Sequence, residues 1–436
     1  MQLKDDSGNK VKAILGAAAC SLLGSNAKAQ QDAWQIDTAV LLYAEEQRVS
    51  VVEGIVSATK DFGDQHIFNG KITADTLSGA SANGAVPQPY VQTFARPSGD
   101  GVYQVDANET PLDPTFHDTR LQLNASWSQP FSADYRYSVA AHASKEYDYF
   151  SLGVSGSIAR DFNKKNTTLA FGLGAFFDQI DPEGGIPKPL AILSQVTPDS
   201  VLSGNVFTDL SSGENPYRIA KDDDKTTIDV LFGVTQVLSR RAIVQFNYSY
   251  SSVDGYLNDA FKIVSLVDEQ GISQAQIYES RPDTRQKQSV FAQSKYHLEH
   301  DIIDVSYRYM WDDWQINSHT FDLRYRIQLN GRYLEPHVRY YEQQEGEFFQ
   351  PFVTTGQWQN DQPKHVSADY RLGKMSAFTL GFKYGILFDK GREWSFRLQY
   401  YQQDPDNPGV DAPGVLAEQD LYESVKAIIF QVSNSF

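Results

Sequence analysis

In one stretch of this chain after another, every second residue is apolar. Val244, Phe246, Tyr248 and Tyr250 interleave with Gln245, Asn247, Ser249 and Ser251. Ile303, Val305, Tyr307 and Tyr309 interleave with Asp304, Ser306 and Arg308. Phe321, Leu323, Tyr325 and Ile327 interleave with Asp322, Arg324, Arg326 and Gln328, and Trp394, Phe396, Leu398 and Tyr400 with Ser395, Arg397 and Gln399. A helix would scatter these side chains around its circumference, whereas a strand gathers the apolar ones on one face. A soluble sandwich would turn that face inward. Here the apolar faces are rich in Tyr and Trp, which suits lipid and its interfaces, and the polar faces carry Arg, Asp, Gln and Asn, which suits a wet lumen. A soluble propeller or solenoid needs a repeated motif, and none is visible. The alternation predicts an all-β chain, a transmembrane antiparallel up-and-down β-barrel.

Spacing gives the barrel a direction. Sixteen strands are expected to start near Ile36, Val49, Ile67, Thr119, Tyr135, Phe150, Thr167, Thr226, Ala242, Gln288, Ile302, Thr320, Leu334, Ala377, Glu393 and Tyr422. Seven connections are short polar turns, centred on Gly63-Asp64, Ser132-Ala133, Asn163-Lys164, Ser239-Arg240, Glu299-His300, Asn330-Gly331 and Lys390-Gly391. They alternate with connections that include long ones at 78–117, 181–224, 254–284, 345–376 and 404–421. Short periplasmic turns facing long extracellular loops is the outer-membrane arrangement. Within 345–376, Val366 to Leu372 also reads as a strand, so the count spans fourteen to eighteen.

The two ends carry addresses. Lys10 and Lys12 precede an apolar run from Ala13 to Leu23, and Ala27-Lys28-Ala29 supplies the small residues that a signal peptidase reads. Residues 1–29 are therefore expected to be a cleaved secretory signal, and 30–436 a single outer-membrane barrel domain. Removing the four Lys and two Asp of the signal takes the formal charge from −17 to −19. Such an acidic chain is a poor nucleic-acid binder. Cys20, the one cysteine, would leave with the signal, so the mature chain has no disulfide framework. Lipidation of Cys20 is the alternative, but Ala17-Ala18-Ala19 is a poor lead-in. A mean hydropathy of −0.43, with no long apolar run downstream, excludes a helical membrane protein. At the far end Ile428, Phe430, Val432 and Phe436 lie on one face of a closing strand. A strand ending in Phe436 is the type of signal that barrel-assembly machinery takes. Outer-membrane lipids and lipopolysaccharide are the other expected partners, and a homo-oligomer is expected only by analogy with porins.

Several segments carry a family resemblance. They are Glu146-Tyr147-Asp148-Tyr149 followed by Ser151-Leu152-Gly153-Val154, Arg160-Asp161-Phe162-Asn163, and Asp181-Pro182-Glu183-Gly184-Gly185-Ile186-Pro187. Gly255-Tyr256-Leu257-Asn258-Asp259, Arg281-Pro282-Asp283-Thr284-Arg285 and Tyr307-Arg308-Tyr309 belong with them. Over nearly all of the mature length the chain resembles the Gram-negative proteins grouped as family 3570 of the domains of unknown function. The resemblance implies an outer-membrane barrel and brings no activity, substrate or catalytic residue.

Candidate chemistry concentrates on the inward faces of the later strands. Arg308, Arg324, Arg326, Arg339, Lys383 and Arg397 lie there, with Asp304, Asp322 and Glu335 among them. These nine residues are the expected lumen lining. As a channel lining they would orient or select solutes. As cross-strand pairs they would stiffen the wall, each pair contributing about 0.2–1 kcal/mol. The early strands offer Asp37, Asn69, Lys71, Thr73, Asp75, Arg120, Gln122 and Asn124 to the opposite wall. The acidic clusters Asp222-Asp223-Asp224, Asp312-Asp313 and Asp181 with Glu183 lack the spacing of a calcium loop and read as solvated loop charges. The eight histidines are dispersed without zinc spacing. His142 and Ser144 share an inward face but no nucleophile motif surrounds them. No metal, cofactor or enzymatic activity is expected. The reading is a porin-like channel or transporter for small hydrophilic solutes. A loop-occluded scaffold that binds a periplasmic or surface partner is the alternative, and an outer-membrane enzyme comes third. The long loops would serve as lids, plugs or receptor surfaces, or else as mobile crests.

Overall fold

The computed structural model describes residues 34–96, 101–193, 217–388, 391–406 and 412–436. The expected signal segment lies outside the described residues. The alternating stretches form β1 (Gln35–Glu45), β2 (Ser50–Asp61), β3 (Ile67–Ala82), β4 (Leu112–Pro130), β5 (Tyr135–Lys145), β6 (Tyr149–Phe162), β7 (Thr167–Ile180) and β8 (Asp223–Ser239). They continue as β9 (Ala242–Gly255), β10 (Thr284–His297), β11 (Ile302–Asp312), β12 (Asn317–Leu329), β13 (Arg332–Gln343), β14 (Met375–Leu387), β15 (Glu393–Pro405) and β16 (Val425–Ser435). These sixteen strands close into one barrel in chain order. Every neighbouring pair of the wall is antiparallel, and β1 completes the ring against β16, from Asp37↔Ser435 to Glu45↔Ala427. The first and last strands clasp at the seam: the Ile36 amide donates to the Phe436 carbonyl at 2.8 Å, and the Phe436 amide donates back to Ile36 at 2.9 Å. Closure leaves no bare strand edge for hydrocarbon to strand without hydrogen bonds.

The wall is apolar on the outside. Phe246, Val154, Leu173 and Leu380 are 57%, 64%, 52% and 52% exposed, an arrangement that only lipid makes favourable. A membrane needs about 9–11 residues of each strand. β4 has 19 and β8 has 17, so the wall rises well past that height. The ladder itself sets these extensions, since Ala82 of β3 pairs with Leu112 of β4.

The extended rim carries a cap. Ile192–Leu193, Ser273–Tyr278, Ile263–Val267 and Phe352–Thr354 form a four-stranded sheet drawn from three long loops. Phe352–Thr354 joins it in parallel, against Ser265 to Val267. The hydrophobic core of the protein lies here rather than in the barrel. Val86, Val267, Phe352, Leu416, Leu421 and Tyr422 pack in one cluster, and Val264, Leu266, Ile277, Val353, Val366 and Ala368 in another. The Tyr422 hydroxyl donates to the Ala368 carbonyl at 2.6 Å, and the Gln88 amide donates to the Gly271 carbonyl at 3.1 Å, so loops far apart in sequence are tied directly. Val366 to Leu372 is part of this cap and not an additional barrel strand. Val366 makes an isolated bridge with Ser280, and Tyr370–Leu372 is a single 3₁₀ turn.

Candidate functional site

The ion pairs of the later wall follow from register. Arg324 lies opposite His337 and Asp322 opposite Arg339 across β12 and β13. Asp322 takes Arg324 at 3.2 Å and the Nε2 of His337 at 2.8 Å. The other ring nitrogen of His337 meets the Gln399 amide at 2.7 Å, which ties β12, β13 and β15 together through one imidazole. Arg326 donates to Glu335 at 2.6 Å and lies over the Tyr333 ring at 4.2 Å. Tyr333 donates its hydroxyl to Glu393 at 2.5 Å, and Lys383 donates to the same carboxylate at 3.0 Å. Tyr333 fits because its neighbour is Gly385, where a Cβ would fall 2.1 Å from the ring. The aromatic ring therefore fills the gap in the wall, with the cations of Arg326 and Lys383 4.2 Å and 5.4 Å from its centre.

Asp304 accepts from Gln293 at 2.7 Å and pairs with Lys295 at 3.2 Å. Arg308 lies 5.5 Å over Phe291. Arg397 reaches Gln431 at 3.5 Å. Among the described residues Arg308, Arg339 and Arg397 make no ion pair, so this stretch of wall keeps unpaired positive charge beside its paired ladder. Sequence reasoning placed all nine residues on one face but missed Lys295, His337 and Glu393 as partners. Parity would have found His337, which sits between Glu335 and Arg339 in the alternation. On the early strands Arg120 reaches Asp75 at 2.8 Å and Glu53 at 3.8 Å, and Asn69 donates to Thr59 at 2.7 Å. His142 is within 2.9 Å of the Asn124 side-chain oxygen, a wall contact rather than a base poised on a hydroxyl.

Above this wall the cap is fastened by charge. Glu279 and Asp369 are 2% and 1% exposed. Arg281 lies 2.7 Å from Glu279 and 2.9 Å from Asp369, while Arg371 joins Asp369 at 2.6 Å to Asp259 at 2.7 Å. The Ser367 hydroxyl and the Asp259 amide both donate to Glu279 at 2.5 Å. Lys262 donates to the Ala82 carbonyl. Burial opposes ionisation of Asp369, yet Arg371 and the other cations hold its carboxyl well below the ordinary range. For Glu279 burial wins over Arg281, and its carboxyl is pushed up.

Asp312 corrects an expectation. It is not a solvated loop charge: its side chain is 0% exposed and accepts from Arg285. Another acidic group was missed because Asp118 lies far in sequence from Glu146 and Asp148. Asp118, Glu146 and Asp148 bring carboxylate oxygens within 4.8 Å of one another at the loop-side rim, an arrangement able to hold a hard cation. Burial, followed by the charge of Asp118, raises Glu146 to about 7.

Between cap and wall lies a cavity of about 560 Å³. Leu257, Arg281 and Trp314 close it from the cap side, and Thr227, Asp229, Ser251 and Lys287 face it from β8, β9 and β10. Arg285 stacks over Trp314 at 4.3 Å and fixes that aromatic wall.

A family model described as protein of unknown function (DUF3570) matches residues 12–436. A search of curated proteins found no match. Among solved structures the chain is similar to a bacterial polysaccharide outer membrane secretin, at 9% identity and a TM-score of 0.44, over 94% of this chain and 100% of that one. It is also similar to the toluene transporter TodX of Pseudomonas putida, at 10% identity and a TM-score of 0.37, over 93% and 90% of the two chains. A third similar structure is the outer membrane protein opdK of Pseudomonas aeruginosa, at 8% identity and a TM-score of 0.38, over 92% of this chain and 98% of that one.

Proposed function

The chain belongs to the DUF3570 family, and we propose that it is a channel passing small hydrophilic solutes across a Gram-negative outer membrane. The observation that supports this most is the opposition between two faces of one closed wall, apolar outside and ion-paired inside. A wall of sixteen strands encloses enough space for water and small solutes. Its paired charges set up a transverse field, and the unpaired Arg308, Arg339 and Arg397 bias that field toward anions. The cap lies over the entrance and governs entry. In this reading residues 1–29 are removed on export, the strand ending at Phe436 is taken by the assembly machinery, and lipid with lipopolysaccharide surrounds the wall. The protein is a conduit rather than an enzyme.

Reversal potentials in a planar bilayer under a salt gradient test the lining. Neutralising Arg324 and Arg326 together leaves Asp322 and Glu335 without their cations. The double variant R324Q/R326Q should shift selectivity toward cations. Unchanged reversal potentials would remove these residues from the pore.

The buried core of the cap favours a second reading, a barrel closed by its loops that serves as a scaffold for a periplasmic or surface partner. A folded barrel that never conducts and co-purifies with one partner would support it.

A further inference from the structure

The register of β8, β9 and β10 places Asp229, Ser251 and Lys287 in one row, through the pairs Asp229↔Ser251 and Ser251↔Lys287. All three line the cavity beneath the cap. Two strand spacings, about 9–10 Å, separate the backbone of Asp229 from that of Lys287. The other charged residues of the lining are engaged. Arg285 gives Nε and Nη2 to Asp312, Arg281 sits between Glu279 and Asp369, and Lys225 lies 3.8 Å from Asp178. Among the described residues, the side chains of Asp229 and Lys287 make no hydrogen bond and no ion pair within 4 Å, their backbones alone being engaged in the ladder.

A carboxylate and an ammonium thus face one partly enclosed space without reaching each other. A charged group taken out of bulk water without a partner is unfavourable. A simple anion would satisfy Lys287 and be repelled by Asp229, and a simple cation would do the reverse. A molecule carrying both charges satisfies the two together. We propose that this cavity binds a small zwitterion of amino-acid or dipeptide size. Its carboxylate meets Lys287 and its ammonium meets Asp229. Ser251 lies between them as a hydroxyl partner, and Trp314, Leu257 and Met310 offer an apolar wall to a side chain. The flexible Lys287 stem adjusts to the length of the molecule. The inference rests on the channel reading in so far as the bound zwitterion is a solute in transit.

The test uses the full chain refolded in detergent micelles and titrated by saturation-transfer NMR with glycylglycine. N-acetylglycine, which lacks the ammonium, and glycinamide, which lacks the carboxylate, serve as controls. Wild type should bind glycylglycine about tenfold more tightly than either control, the scale of one lost charged hydrogen bond. K287Q should erase the advantage over glycinamide, and D229N the advantage over N-acetylglycine. K164Q, in a distant turn, should change nothing. If a variant fails to fold, the three probes on wild type decide alone. Equal affinity for all three, in a barrel that conducts, overturns the inference and leaves the channel. A non-conducting barrel that discriminates the probes overturns the channel and leaves the site.

Discussion

The wall and the cap solve opposite problems with the same chain. In the wall, Phe246 is 57% exposed and polar side chains point to the interior. In the cap, Ile277, Val264 and Val353 are 0% exposed, and the core is built as in a water-soluble domain. Lipid is the solvent of the wall's outer face, so burial of apolar groups adds little there, and the closed hydrogen-bond ladder holds the structure. Water is the solvent of the cap, so apolar burial and a buried ion cluster must hold it. The cap is therefore the part that mutation or pH should loosen while the wall stays intact.

The largest effect should come from the ion cluster. Asp369→Asn leaves Arg281 and Arg371 short of a buried anion and should destabilise the cap by about 3–5 kcal/mol. Hydrogen exchange should show faster exchange at 263–278 and 352–372 and unchanged protection along β1 to β16. Loss of protection in both regions alike would break the comparison.

Apolar truncation sharpens it. Ile277→Ala should cost the cap about 2–4 kcal/mol, because a fully buried site loses both transfer energy and packing. Phe246→Ala on the lipid face should cost less than about 1 kcal/mol, since acyl chains fill the space. Denaturant titrations of the two variants in the same lipid give the ratio directly.

The smallest effect depends on pH. Glu146 is held at about 7 against an ordinary 4.5, so the folded form keeps its proton to higher pH than the unfolded chain. Stability tied to that proton is complete below pH 4.5, falls as pH rises, and is lost above about 7. Glu146→Gln cannot ionise. It should match wild type near pH 4 and exceed it by about 1–3 kcal/mol at pH 8. Equal stability at both pH values would show that the acidic rim is fully solvated.

The same contrast explains what the sequence made legible. Period-2 alternation belongs to a wall with unlike solvents on its two faces, so strands such as β11 and β12 were readable residue by residue. Alternation fades where a strand leaves the membrane. Thr119 was the expected start of β4, yet the strand begins at Leu112, held by its ladder with β3. Tyr422 was expected to open the last strand, but it packs in the cap core and β16 begins at Val425. The cap was read as loops because its sheet strands are two to six residues long and its clusters draw on distant segments. In the candidate site, parity placed Arg324, Arg326, Asp322 and Glu335 on one face. It did not reveal Glu393 or the cavity row of Asp229 and Lys287, since both depend on which strands are neighbours and in what register.

The most direct measurement is single-channel conductance of the refolded full chain in a planar bilayer, comparing wild type with Asp369→Asn. A capped channel predicts a steady conductance in wild type and a larger or longer-lived open level once the cap is loosened. Silence from both proteins, with the barrel shown to be folded, would contradict it.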